Sequence, residues 1–276
     1  MDILLTGSSS GIGRSITENL LAQGHSVCGL ARSDQSEFAQ KHAHGFSSHC
    51  VDVADWAAVE TVANELAKAG RAFDAMVLCA GIQGEIGPAM QADPRKWSDT
   101  VRLNLDGTFF ALRAFFGLLR PASGRAKVMV FSGGGSTKAR ENFSAYGAAK
   151  TAIVRLVETC AAEWGDQSID INAIAPGAIP TRLTDEVIAL GPEIAGTAEY
   201  DGALRLKSGG GHALERTQAL VQWLLSPASD GVSGRLIAAQ WDPWEKLTAH
   251  KTSLASSDIF TLRRILPEER GAKWDE

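Results

Sequence analysis

Apolar residues in this chain come in short runs, and longer stretches of helical period separate them. In order the runs read DILLT (2–6), SVCGLA (26–31), SSHCV (47–51), DAMVLCA (74–80), AKVMVFS (126–132), IDINAIA (169–175) and GRLIAA (234–239). Between them lie segments whose apolar positions recur three and four residues apart, over 11–23, 55–69, 95–119, 143–165 and 212–226, with a polar stretch to 44 after the second run. Runs that are apolar throughout carry no solvent face, so each predicts a strand covered on both sides. Seven of them alternating with helices predict an α/β fold with a doubly wound parallel sheet.

Two stretches break the rhythm. Residues 177–211 are rich in Gly and Pro and far longer than an ordinary connection, so the segment from about 179 to 212 is expected to form a lid. Residues 241–276 continue past the last strand and predict a tail packed on the body or on a neighbouring subunit. No repeat or linker divides the 276 residues, and one domain spanning 1–276 is expected.

Composition narrows the partners. An apolar fraction of 45% allows a sizeable core, while a net charge of −5 offers no basic footprint for nucleic acid or an anionic membrane surface. A small-molecule partner is expected. Cys28, Cys50, Cys79 and Cys160 show no paired spacing, which suits a reducing compartment. The start, MDILLTG, has neither the basic region nor the apolar stretch of a signal peptide, and no run reaches the roughly 18 apolar residues of a membrane span. A cytoplasmic location follows as the expectation.

Three motifs suggest chemistry. LLTGSSSGIGRS carries Gly7, Gly11 and Gly13 from a strand into a helix; bare glycines let a ligand approach the backbone, and the helix N-terminus attracts a pyrophosphate. In FSAYGAAK, Tyr146 and Lys150 stand one helical turn apart on one face. A cation held there favours phenolate and would lower a tyrosine pKa that is ordinarily about 10. His42, His44, His49 and Cys50 cluster within a few residues but fit no zinc spacing, so no metal is expected. Trp241 and Trp244 are read as anchors of the tail.

With TGSSSGIG, the Tyr146–Lys150 pair, Asn104 in LNLDGTFF, Asp52 in VDVAD and Pro176–Gly177 in NAIAPGAIPT, all in the same order, the chain resembles the short-chain dehydrogenase/reductase family. The resemblance implies a Rossmann-type fold and an NAD(P)-dependent oxidoreductase acting between C=O and CH–OH. It implies that Tyr146 exchanges a proton with the substrate oxygen, that Lys150 lowers its pKa and binds the nicotinamide ribose, and that Asn104 holds a relay water. It places the cofactor along Gly7, Ser9, Ser10, Gly11, Ile12, Gly13 and Arg14, then Arg32, Asp52, Val53, Cys79, Ala80 and Gly81, and finally Tyr146, Lys150, Pro176, Gly177, Ile179 and Thr181. A serine should polarise the carbonyl. The family's serine position, 13 before the tyrosine, is Gly133 here, which leaves Ser132 as the expected residue and Ser136 as the alternative. Cys79 stands where the family commonly has asparagine, and AQWDPW replaces its usual ending.

An acid normally binds the ribose 2′-hydroxyl about 20 residues beyond the glycine motif. Ala31 and Arg32 occupy that place, and Arg14 follows the glycine turn, so NADP(H) is the expected cofactor; NAD(H) is the alternative if Asp34 serves. The lid carries Arg182, Arg205, Lys207 and His212, pointing to a sugar, sugar nucleotide or other polar or anionic carbonyl compound. A 3-oxoacyl thioester is the second reading, and a non-catalytic dinucleotide sensor the third. The family also implies a homodimer or homotetramer, through the helices of 97–119 and 144–164.

Overall fold

The computed structural model describes residues 1–121, 124–165, 167–209 and 212–272. Lid positions 210 and 211 and the last four tail positions, 273–276, lie outside the described residues. Seven strands form one sheet: β1 (Asp2–Thr6), β2 (Ser26–Ala31), β3 (Phe46–Cys50), β4 (Ala75–Leu78), β5 (Ala126–Phe131), β6 (Ile169–Ala175) and β7 (Arg235–Ala238). The order is β3-β2-β1-β4-β5-β6-β7, open and parallel throughout. The chain winds outward one way from β1 and the other way from β4, so the crevice between their carboxyl ends is the switch point at which such sheets bind ligands.

The helices are α1 (Gly11–Ala22), α2 (Ser36–Lys41), α3 (Trp56–Lys68), α4 (Pro94–Val101), α5 (Gly107–Phe115), α6 (Ser144–Trp164), α7 (Arg182–Leu190), α8 (Pro192–Ala195), α9 (Thr197–Gly209), α10 (Ala213–Leu225) and α11 (Lys251–Ala255). Alternate residues of each strand feed two cores. Leu4, Met76, Leu78, Val128 and Val130 pack with α3, α5 and α6, whereas Ile3, Leu5, Val77, Met129 and Phe131 pack with α1, α10 and the tail. Several strand positions depart from apolar burial, among them Asp170 and Asn172 in β6 and Arg235 in β7; Lys127 in β5 is 3% exposed and held by Asp170 (2.8 Å), Asp230 (2.7 Å) and Ser229 (3.0 Å).

Three expectations need correction. The helix expected over 95–119 is interrupted by a π-helical segment, Arg102–Asp106, because Asn104 turns inward and donates to the carbonyls of Ile82 (2.8 Å) and Thr100 (2.9 Å). The segment 179–212, for which the sequence showed no helical period, forms α7, α8 and α9: Val187, Ala195 and Ala203 from these helices pack on Ile86, Phe143 and Tyr146, and that apolar face holds the segment down. In the tail Trp244 is an anchor, 4% exposed with its indole N–H on the Ala239 carbonyl (3.1 Å), but Trp241 is 72% exposed and anchors nothing. The tail packs on the body of its own chain. Arg235 donates to the carbonyls of Leu254, Ser257 (2.9 Å) and Ile259 (2.8 Å), and Leu262 N–H reaches Glu158 (2.6 Å).

Candidate active site

The glycine turn is compressed against the switch point. Gly7 has φ +78°, and a Cβ there would lie 2.9 Å from the backbone of Ala80; one on Gly13 would lie 2.2 Å from the Gly7 carbonyl. No larger residue fits either position. Ser10 precedes α1 without a side-chain capping bond, and its first turn carries no acid, so the helix presents free N–H groups and positive dipole to the crevice. Thr181 stands beside Gly11, its Cγ2 3.7 Å from where a Cβ would be, which brings the far end of the Pro176–Thr181 turn against the glycine motif.

Around this rim, buried polar atoms lack partners: Ser8 Oγ, both amide atoms of Gln35 at the start of α2, and Asn104 Oδ1. An uncapped helix, a bare glycine cradle and orphaned donors and acceptors fit a dinucleotide. Ser9, Ser10, Ile12 and Gly13 would hold its phosphates, and Val53, which packs on Gly107, would flank its base. Gln35 carries no motif, and only its burial without a partner reveals it. Arg14 stacks on Phe38 at 3.4 Å and pairs with Glu18 (2.8 Å); Arg32 pairs loosely with Asp52 (3.7 Å). Asp34 turns back on its own loop, accepting from the Ser36 hydroxyl and from Ser36 N–H (3.0 Å), which together hold its carboxyl below the usual range. Desolvation pushes the Cys79 thiol up to about 12, so it stays protonated.

Tyr146, Lys150, Asn104 and Gly81 meet at the carboxyl edge of β4 and β5. A Cβ on Gly81 would stand 2.8 Å from Asn104 Oδ1 and 3.3 Å from Lys150 Nζ, so both polar atoms converge over bare backbone. Lys150 is 3% exposed, donates to the Phe131 carbonyl (2.9 Å) and lies 5.6 Å from the Tyr146 ring. Burial lowers its pKa to about 8. For Tyr146 the expected depression by Lys150 does not appear: desolvation raises the phenol above its ordinary value, and the charge opposing it is Arg140.

The serine also departs from expectation. Ser132 is buried, and its hydroxyl donates to the Lys150 carbonyl (3.1 Å) instead of to the phenol. Position 133 faces the phenol, where a Cβ would lie 2.5 Å from the Tyr146 oxygen, and that position is glycine. Ser136 lies beyond the loop, its carbonyl accepting from Thr151 (3.2 Å) on another face of α6. Two of the cations expected at the substrate, in the segment 179–212, are committed to neighbouring carboxylates. Lys207 is paired with Asp185 (2.7 Å) and Arg182 with Glu186 (3.2 Å), both on exposed lid surface. Beside Lys150, a second cation stands near Tyr146: Arg140, its Cζ 6.0 Å from the ring centroid, which the sequence did not single out.

Comparison with known proteins agrees with this geometry. The family model described as short chain dehydrogenase matches residues 2–189. D-threitol dehydrogenase of Mycolicibacterium smegmatis is 32% identical over 65% of this chain and 70% of its own. Galactitol 2-dehydrogenase (L-tagatose-forming) of Cereibacter sphaeroides is 32% identical over 65% and 72%. The crystal structure of levodione reductase superposes with TM-score 0.74 at 28% identity, covering 90% of this chain and 97% of that one. Among the described residues no helix is long and apolar enough to cross a membrane. A parallel sheet with an uncapped glycine turn at its switch point, a tyrosine and lysine one turn apart beyond β5, and a family match over two thirds of the length place the chain among the short-chain dehydrogenases, oxidoreductases that act between CH–OH and C=O.

Proposed function

We propose that this chain, working as one domain, interconverts a carbonyl and a secondary alcohol with NADP(H) as cofactor. The observation that carries the reading is the convergence of Tyr146, Lys150 and Asn104 around bare Gly81 at the switch point. The bound nicotinamide supplies or accepts the hydride. Tyr146, protonated in its desolvated setting, donates its proton to the substrate oxygen as charge develops there. Lys150, with a pKa of about 8, exchanges protons near neutral pH, and Asn104 Oδ1, buried without a partner, accepts from a water on the route to solvent. Ser132 steadies α6 at Lys150 through its hydrogen bond. Replacing Tyr146 by Phe should remove nearly all turnover while cofactor still binds; full activity in that variant would leave a dinucleotide sensor or scaffold as the better reading.

Arg14 and Arg32 support the preference for NADP(H). Both are partly exposed, and the long Arg32–Asp52 contact can give way to a 2′-phosphate. Titration with NADPH and NADH checks this, with Arg32→Ala expected to weaken NADPH selectively; equal affinities would return the role to Asp34. For substrate, the names of the two polyol-oxidising relatives and the charge at Arg140 support a hydroxylated or anionic carbonyl compound over a plain ketone. A cytoplasmic homo-oligomer assembled on the faces of α4, α5 and α6 completes the proposal, with a monomeric mass in solution as the contrary result.

A further inference from the structure

Between its phenol and a guanidinium the site has glycines where other residues would place side chains. Gly133 leaves bare backbone under the Tyr146 oxygen, where a Cβ would sit at 2.5 Å. Gly134 is exposed, and a Cβ on it would stand 3.9 Å from both Cδ and Nη1 of Arg140. Arg140 lies along this glycine loop, its Cζ 3.7 Å from the Phe143 ring centroid and 6.0 Å from that of Tyr146. Phe143 is 1% exposed, which gives the guanidinium a rigid floor. Two adjacent glycines thus keep side chains out of the space between proton donor and cation.

The fork of Arg140 is occupied by a carboxylate from the lid. Nε and Nη2 donate to the two oxygens of Glu199, in the first turn of α9, at 2.8 and 2.7 Å. The pair is partly exposed, at 21% and 34%, so its members can separate and be rehydrated. A carboxylate is what the fork is shaped to hold.

We propose that Arg140 anchors a substrate carboxylate, that Glu199 masks it in the ligand-free protein, and that the enzyme acts on oxo and hydroxy acids whose anion lies a few bonds from the reacting carbon. The inference rests on the carbonyl–alcohol reading above and names its substrate class. An entering acid takes the place of Glu199 on the guanidinium, which fixes the distance between its carboxylate and the Tyr146 hydroxyl. The released Glu199 is rehydrated while α9 stays held by its apolar contacts, so the exchange of carboxylates needs no movement of the helix.

The test compares short 2-oxo and 3-oxo acids with their methyl esters, which share the carbonyl and lack the charge. Turnover with NADPH is measured for the wild type, Arg140→Met and Glu199→Gln, and calorimetric titration of each acid is run on the same proteins with no turnover required. The wild type should prefer acid over ester at least tenfold in kcat/KM, the level expected when a charge-assisted pair is lost. Arg140→Met should cut that ratio on the order of 30-fold, and Glu199→Gln should lower KM for the acid, since the competing anion is gone. Equal use of acid and ester by the wild type, or an unchanged ratio in both variants, overturns the proposal. Glu199→Gln decides the matter if Arg140→Met does not fold. Should no carbonyl be turned over by any protein, the reaction class fails and the titrations still judge Arg140: acid binding that Arg140→Met abolishes upholds the anchor, and no binding to the wild type removes it.

Discussion

Replacing Lys150 by Met should make the protein more stable at neutral pH while abolishing its chemistry. The ammonium is 3% exposed, and burial moves its pKa from 10.5 to about 8. That displacement corresponds to about 3 kcal/mol of folding free energy lost whenever the group is charged. Methionine fills a similar volume without charge. It forfeits the hydrogen bond to the Phe131 carbonyl, a charged donor contact contributing about 1.5 kcal/mol, so the net gain is about 1 to 2 kcal/mol. For a chain of this size that corresponds to a melting temperature higher by about 3 to 6 °C. Between about pH 8 and 10.5 the unfolded chain holds this proton and the folded one does not, so wild-type stability rises relative to the variant across that window. Below it the advantage of Lys150→Met is constant. Thermal unfolding of both proteins from pH 6 to 10 gives the difference curve. A variant less stable than wild type at pH 7, or a difference that does not shrink above pH 8, would refute the idea that the lysine is held at a cost for its chemistry.

Gly133→Ala should lower kcat at least tenfold with NADPH affinity preserved, because its methyl group would stand 2.5 Å from the Tyr146 oxygen; unchanged kcat in a steady-state assay would place the phenol elsewhere during catalysis. Asp170→Asn leaves Lys127 with Asp230 but without its buried carboxylate, and loosens Arg125, so it should destabilise by about 2 kcal/mol in denaturant titration, far from the site and with KM unaltered. Arg235→Met frees the carbonyls of residues 254, 257 and 259, so limited proteolysis should cut the tail faster than in wild type, and equal rates would assign tail docking to Trp244 and Leu247 instead.

Most strands were legible because they are apolar on both faces, a pattern only a covered parallel sheet rewards, while the edge strand β3, FSSHC, is largely polar and half-buried; all seven lie within two residues of their expected ends. The glycine turn was legible for a related reason: backbone must pass backbone at 2.2 to 2.9 Å there, and no other residue permits it. Spacing likewise put Tyr146 and Lys150 on one helical face. Other features depend on contacts between residues distant in sequence, which local pattern does not encode. The break in 95–119 arises from Asn104 reaching the carbonyl of Ile82 across the crevice. The lid is shaped by Val187, Ala195 and Ala203 finding Phe143, and its charges are spent on each other at Lys207 and Asp185. Ser132 looked suitable from its place after β5, yet successive residues leaving a strand point to opposite sides, so the tertiary fold gave its hydroxyl to Lys150 and the phenol to Gly133. Arg140 carries no motif. Its place between Tyr146 and Glu199 was decided where a loop after β5 meets a helix inserted after β6, a meeting that only the folded sheet brings about.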